Sequence, residues 1–481
     1  MLALKTFLGV GWSISARMIG RMIDFVTLLV LARVLGPADF GLTALAMTLI
    51  VILETVLEIP LTQALTRLRH VEKSHLDTAF TLGLLRGLVF SAIVAGAAWP
   101  FSKIYSDPRL LGLLMALSLG PIARGFYSPG MVRFFKELRF REVFITQVVG
   151  KLLAAGLSVL VLYLGGGYWA IVTNTVVASA GATLISYLLA PYRPALSLAK
   201  FREFSGFLGW FSCGQAVSAV NWQFDRVLLG NFLSKEEFGK YTMAGDIAAL
   251  PTQSLIGPAM QPLISAFSNI NDDFDRMKKA YLKASYFTMM LAMPVCVLMS
   301  VCADLIISLI LNDRWRDSAI YLRWLSLTIV LNAYFQPLYS LSIARDKPKY
   351  IFYLNALDLL FRLVLIPVGI YYYSVLGVIG ARGVIAVVVF AASLYAAKRL
   401  IGAPLALQLR NLSEIAVACC AMAASVLLLR DVLSGLRLPV PVEFVAVSGC
   451  AAVVYVGVLL ALGVRLTGLM RGAPRLTNAG R

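Results

Sequence analysis

The stretch Ser15-Ala16-Arg17-Met18-Ile19-Gly20-Arg21-Met22-Ile23-Asp24 places two arginines and an aspartate inside an apolar run. Arg17, Arg21 and Asp24 are spaced i, i+4, i+7. At about 100° per residue they fall on one face of a helix. Paired guanidinium groups on such a face suit an anion, and phosphate oxygens match their fork of donors. Further charges stand in apolar surroundings: Glu54, Glu58, Arg86, Arg124, Lys151, Asp225, Arg226, Asp246, Arg323, Asp358, Arg362 and Arg382. One charge at the centre of a bilayer costs roughly 2.5–3.5 kcal/mol on insertion scales. Charges in this number must therefore face one another or a watery cavity.

Two readings apply to each. Asp358 and Arg362, at i, i+4, fit a helix-packing ion pair. Glu54 and Glu58 fit the cytoplasmic end of a span as well as its interior. The first span holds two cations for one anion, so a positive charge is left over. Arg124, Arg226 and Arg382 have no acidic partner at helical spacing, since Asp225 beside Arg226 points elsewhere on a helix. The set is net basic, which favours an anionic substrate. Aromatic residues accompany it, in Asn221-Trp222-Gln223-Phe224-Asp225, Arg124-Gly125-Phe126-Tyr127 and Asn332-Ala333-Tyr334-Phe335-Gln336. Trp222, Tyr127 and Tyr334 fit either ordinary packing or contact with the apolar faces of sugar rings. Asp24, Asp225 and Asp246 are candidates to take a proton or sodium ion.

The elements that position these residues follow from composition. Of 481 residues, 59% are hydrophobic and 14% charged, against about 25% charged in a soluble domain. Mean hydropathy is +0.82. Apolar runs of about 20 residues recur along the whole chain, the length of a membrane-crossing helix. About fourteen such spans are expected, centred near residues 22, 53, 89, 120, 153, 178, 218, 253, 292, 328, 362, 386, 422 and 453. A β-barrel is disfavoured, because its strands are about ten residues long and alternate in polarity. The first span shows no cleavage site of a signal peptide and is expected to remain.

Lys and Arg set the orientation. With the N-terminus inside, every second loop is basic: Arg67, Arg69 and Lys73; Arg133, Lys136, Arg139 and Arg141; Arg193, Lys200 and Arg202; Arg276, Lys278 and Lys279; Arg345, Lys347 and Lys349; Lys398, Arg399 and Arg410. The intervening loops hold few. This alternation supports an even number of spans with both termini cytoplasmic. It also accounts for the net charge of +18 without nucleic acid. The six cysteines, Cys213, Cys296, Cys302, Cys419, Cys420 and Cys450, all lie in apolar runs and read as small buried residues.

Residues 31–41, LARVLGPADFG, are echoed by residues 229–239, LGNFLSKEEFG. At an offset of 198, Leu31, Leu35, Phe40 and Gly41 meet Leu229, Leu233, Phe238 and Gly239, and Asp39 meets Glu237. Lys151 and Arg362 then stand at corresponding places. The expected architecture is all-α: two six-helix lobes around a central cavity, over residues 1–200 and 201–400. Two further spans over 401–465 and a basic cytoplasmic tail over 466–481 follow. Such parallel repeats are related by an axis along the membrane normal.

Several chemistries lack their motifs. There is no Gly-x-x-x-x-Gly-Lys-Ser/Thr loop for ATP. His70 and His75 share one short loop and read as solvated rather than as metal ligands. Asn271-Asp272-Asp273-Phe274-Asp275 holds the Asp-x-Asp pattern of metal-dependent glycosyltransferases, but stands before Arg276, Lys278 and Lys279 and reads as a capped helix start. No catalytic constellation, metal site or cofactor site emerges.

The chain resembles the polysaccharide transporter family of bacterial flippases, within the superfamily of multidrug and toxin extrusion proteins and lipid II flippases. The likeness is carried by LARVLGPADFGLTALA at 31–46, RFFKELRFREVF at 133–144, GGGYWAIV at 165–172 and DRVLLGNFLSKEEFGKYTMA at 225–244. LPTQSLIGPAMQPLISAFS at 250–268 and ARDKPKY at 344–350 extend it. The resemblance implies a non-enzymatic, alternating-access flippase in the bacterial cytoplasmic (inner) membrane. Its substrate would be an undecaprenyl-pyrophosphate-linked oligosaccharide for exopolysaccharide or a related surface polymer. It further implies partnership with a polysaccharide polymerase and export machinery. By that likeness Arg17, Arg21 and Asp24 lead the candidates, with Arg124, Lys151, Arg226 and Arg362 beside them. Gly257, Pro258 and Pro262, after Pro251, would kink the eighth span and help a lobe bend. The rival readings are a cation-coupled multidrug exporter of the same superfamily, an integral-membrane polysaccharide polymerase or glycosyltransferase, and a membrane scaffold.

Overall fold

The computed structural model describes residues 2–58, 61–67, 70–137, 139–202, 221, 223–252, 256, 263, 266–268, 270, 273–347, 349–435 and 438–463. The basic tail expected over 466–481, the eighth-span residues Gly257, Pro258 and Pro262, Cys213, Trp222, and Asn271-Asp272 lie outside them. Among the described residues the chain is helical, without strands. That is what hydrocarbon requires of a chain that does not close into a barrel. Backbone groups without water must bond within their own segment.

Contacts divide the chain into two compact units, Met1–Thr242 and Met243–Arg481. The first holds α1 (Leu2–Val34), α2 (Pro37–Val56), α3 (Leu61–Arg67), α4 (Lys73–Ile104), α5 (Arg109–Leu117), α6 (Leu119–Gly125), α7 (Val132–Lys136), α8 (Phe140–Tyr163) and α9 (Trp169–Leu189). A helical stretch over 223–232 follows, and α10 (Lys235–Pro251) runs across the division. The second unit continues with α11 (Phe274–Val301), α12 (Ala303–Ile310), α13 (Ser318–Ala333), α14 (Phe335–Ala344), α15 (Lys349–Ile401), α16 (Leu405–Ser434) and α17 (Val440–Ala461).

Eight described helices are long and apolar enough to cross a membrane, and α5–α6 with the 129–136 segment, bent by 54°, pass the same test together. The 53-residue α15 is itself a hairpin. Ser374 leaves helical geometry at φ 53° and ψ −135°. A methyl group on Gly369 would lie 2.7 Å from the carbonyl carbon of Gly377. In a straight helix those residues would stand about 12 Å apart. Large apolar side chains point outward from the spans, among them Leu152 and Leu160 of α8, Leu184 and Leu188 of α9, Leu428 of α16 and Val453 of α17. In water such a surface would be untenable, so the chain is a multi-pass membrane protein.

Between helices the apolar driving force is weak, because lipid is as apolar as leucine. Close packing of small residues takes its place. α4 lies on α6 in this way. A methyl on Gly87 would come within 2.9 Å of the Pro121 carbonyl oxygen, and one on Gly125 within 2.8 Å of that of Gly83. Hydroxyls within the spans bond to their own helix: Thr48 donates to Ala44 O at 2.8 Å and Ser326 to Leu322 O at 2.7 Å.

Polar side chains fasten the last two spans to the second unit. Asn411 Nδ2 donates to Leu282 O at 2.9 Å, and Tyr455 Oη to Met290 O at 2.8 Å. Arg430 pairs with Asp304 and donates to Val301 O at 3.0 Å.

Asp273 caps α11 by accepting the Arg276 backbone N–H at 2.9 Å, as a capped helix start requires. His75 departs from the solvated loop expected of it. It is buried in the first turn of α4, and its Nδ1 accepts the Glu72 backbone N–H at 3.2 Å.

The α4–α6 contact leads to a test. Gly87→Leu forces the two backbones apart and is expected to destabilise the protein by about 1–3 kcal/mol, as overpacking does. Gly96→Leu, where nothing lies within 4 Å, is the control. Thermal unfolding in detergent distinguishes the two: Gly87→Leu should melt lower, and Gly96→Leu as the parent does.

Candidate functional site

α1 and α8 pack side by side and bring together charges 127 residues apart in sequence. Lys151, on α8, forms an ion pair with Asp24 on α1. Its Nζ also donates to the Gly20 carbonyl at 3.3 Å. Gly20 admits this approach: a methyl there would already touch Nζ at 3.3 Å. Arg21, one residue on, is exposed. Arg17 stands one turn earlier on α1; its side chain lies outside the described residues. Arg21 and Lys151 against Asp24 leave one positive charge on this face. Asp24 and Lys151 are themselves half-exposed, so the pair is not sealed in the core.

A second group lies where α2, α4 and α6 meet. Arg124 forms an ion pair with Glu54, and Arg86 Nη2 donates to the Glu54 backbone carbonyl at 3.2 Å. Arg124 thus has the acidic partner that helical spacing could not reveal, because Glu54 belongs to another helix. The glycine contacts of α4 with α6 hold Arg86 and Arg124 close to each other. Tyr127, just past α6, is half-buried and packs with Met131, Phe134, Val143 and Ala190. Later in the first unit, Asp225 is buried and accepts the Tyr241 hydroxyl at 3.0 Å, while Arg226 beside it is half-buried.

In the second unit Arg362 bonds Asp358 at 3.0 Å, the i, i+4 pair anticipated on one helix. Asp246 is half-buried on α10. Tyr334 is 1% exposed. Its hydroxyl donates to Gln408 Oε1 at 2.8 Å, and its ring meets those of Tyr281 and Phe390 edge-on. Gln408, buried and bonding the Leu394 and Ala403 carbonyls at 3.1 and 2.9 Å, had no signal in sequence.

Residues 30–320 match the family model described as "Polysaccharide biosynthesis protein". That is more than half of the chain, and the chain belongs to this family. Among its relatives, the succinoglycan biosynthesis transport protein ExoT of Rhizobium meliloti (strain 1021) is 24% identical over 314 residues, 64% of this chain. The chain spans 62% of that relative's length. The lipopolysaccharide biosynthesis protein WzxC of Escherichia coli (strain K12) is 23% identical over 73% of this chain and 72% of its own. Among solved structures, the inward-facing conformation of a multidrug resistance MATE family transporter of the MOP superfamily aligns with a TM-score of 0.63. It is 17% identical and covers 79% of this chain and 94% of its own. The fold is therefore that of such membrane transporters.

The paired charges set an expectation for variants. Asp24→Asn leaves Lys151 without its counter-charge and should lower the melting temperature in detergent by about 2–4 °C, the scale of a half-exposed pair. Adding Lys151→Met to it should restore most of that loss. If the double variant melts no higher than Asp24→Asn alone, the pairing is energetically idle.

Proposed function

We propose that this member of the polysaccharide biosynthesis protein family is a flippase. It carries undecaprenyl-pyrophosphate-linked oligosaccharide repeat units across the bacterial cytoplasmic membrane for exopolysaccharide or a related surface polymer. Support comes first from the α1–α8 face, where Arg21, Asp24 and Lys151 stand together with a positive charge to spare. The relatives named for polysaccharide biosynthesis and its transport supply the substrate class.

The physical problem is the pyrophosphate. It carries a negative charge on each phosphate, and hydrocarbon resists both. Arg17 and Arg21 offer matching cations along one helix face, with Lys151, Arg124, Arg226 and Arg362 as further members of a basic path. The polyprenyl tail has no need of protein and stays in lipid. Tyr127 and Trp222 are the proposed sugar contacts; Tyr334 would support them from its packed position. No bond is made or broken, so the protein needs no catalytic group.

In the full proposal fourteen spans form two six-helix lobes around a central cavity, with two further spans behind, and both termini are cytoplasmic. The lobes rock between inward and outward states around the bound head group. Downdraught for the cycle is supplied by an ion or by consumption of the product outside. For the former, Asp24, Asp225 and Asp246 are the proposed carriers. A polymerase and export machinery would draw off the delivered repeat units.

Depletion of the protein, followed by extraction of polyprenyl-linked glycans and assignment of their leaflet, tests this reading. Complete repeat units trapped on the cytoplasmic side are expected. Units trapped outside would indicate a polymerase, truncated units a glycosyltransferase, and an unchanged lipid pool with altered drug sensitivity an exporter. Arg21→Ala is expected to abolish polymer export while inserting normally. Full export by the Arg17→Ala/Arg21→Ala double variant would remove these residues from the path.

A further inference from the structure

The two copies of the internal repeat meet in space. Residues 37–41 and 235–239 both belong to the first unit, and they cross at their glycines. A methyl on Gly41 would overlap the Lys235 carbonyl oxygen and lie 3.0 Å from the Gly239 nitrogen. A methyl on Gly239 would overlap the Pro37 carbonyl oxygen and lie 2.9 Å from the Gly41 nitrogen. Pro37 corresponds to Lys235 in the repeat, and Gly41 to Gly239. The contact is thus reciprocal: each glycine rests on the first-turn carbonyl of the other copy, as in a two-fold interface.

A polar contact stands beside this crossing. Asp107, 4% exposed in the turn after α4, forms an ion pair with Lys235. It also accepts Arg109 Nη2 at 2.8 Å and the Arg109 backbone N–H at 2.9 Å. Burial pushes the Asp107 carboxyl up, but the bonds from Arg109 and Lys235 outweigh it and hold the group far below the usual carboxylate range. Tyr105 Oη donates to Val227 O at 2.8 Å. Gly230 lies against Leu45, which is 1% exposed. Four segments therefore converge on one point: the start of α2, the turn 105–109, the 227–232 stretch and the start of α10.

The alternation of basic loops puts these segments on the outer side of the membrane. Unlike the α4–α6 contact, which runs along two helices, the crossing is confined to the first turns of two. Glycines interlock no side chains, so the backbones separate and rejoin without repacking. The ion pair is a discrete bond that water can replace. We propose that the Gly41–Gly239 crossing is the outer closure of the translocation path and that the Asp107–Lys235 ion pair is its latch. This rests on the transport function proposed above.

The test reads access, not transport. Leu45→Cys places a reporter beside the crossing, and its reaction with a membrane-impermeant maleimide added from outside is measured against the chain with Leu45 unchanged. Slow labelling is expected in the otherwise unaltered chain. Gly41→Ala or Gly239→Ala should speed it by about tenfold, the scale of a population shift between two states. Lys235→Ala should speed it several-fold, and Lys235→Arg should keep it slow. A Val94→Cys reporter, buried in α4, should stay protected throughout. Equal rates at Leu45→Cys in all variants, or parallel exposure of Val94→Cys, would overturn the closure. If the glycine variants insert poorly, Lys235→Ala against Lys235→Arg decides the matter alone. Because labelling needs no glycan, its result stands or falls separately from the depletion experiment.

Discussion

An ionised group in hydrocarbon must be compensated, and much of this structure follows from that requirement. A single central charge costs roughly 2.5–3.5 kcal/mol on insertion scales, and the chain carries many charges among its apolar helices. Three of them are answered by ion pairs. Asp24 meets Lys151, Glu54 meets Arg124, and Asp358 meets Arg362. The pairs are not equivalent. Asp358–Arg362 closes on one helix and needs no tertiary contact. Asp24–Lys151 and Glu54–Arg124 exist only when separate helices dock, so they report the fold as much as they support it.

Docking in turn depends on residues with almost no side chain. Gly20 gives Lys151 room to reach α1, and Gly83, Gly87 and Gly125 bring α4 against α6 at backbone distance. In lipid this close approach supplies the dispersion and dipole interactions that water exclusion supplies elsewhere. The charged groups and the glycines are therefore one design. Small residues bring helices near enough for charges to meet, and charges that meet make the arrangement unfavourable to leave. On the α1–α8 face, among the described residues, Arg21 and Lys151 stand against Asp24.

The repeat adds a second level. Two stretches 198 residues apart retain the same leucines, phenylalanine and glycine, and in the structure they lie on each other. Similar segments that share a surface are self-complementary about a two-fold axis, so the repeat explains how two first turns can fit backbone to backbone. The Asp107–Lys235 pair does not belong to the repeat, since Lys235 stands where the other copy has Pro37. It is a local addition to a symmetric contact.

The helical character and the membrane setting were legible in the residues, because apolar length is a local quantity. The i, i+4 pair Asp358–Arg362 and the Asp273 cap were legible for the same reason: both are settled within a turn of helix. Partners on different helices were not. Arg124 gave no sign of Glu54, nor Lys151 of Asp24, since only packing decides which faces of α2 and α6, or of α1 and α8, come together. Tyr334, whose aromatic ring and hydroxyl suited a sugar, is instead fixed by Gln408 from 74 residues away. His75, which looked solvated, is buried as a helix cap. The repeat was visible as a pattern, but its meaning as a contact was not. Sequence by itself determined that the chain is a many-span helical protein and which charges need company; tertiary structure decided the company, because in a membrane that choice is made by the approach of whole helices.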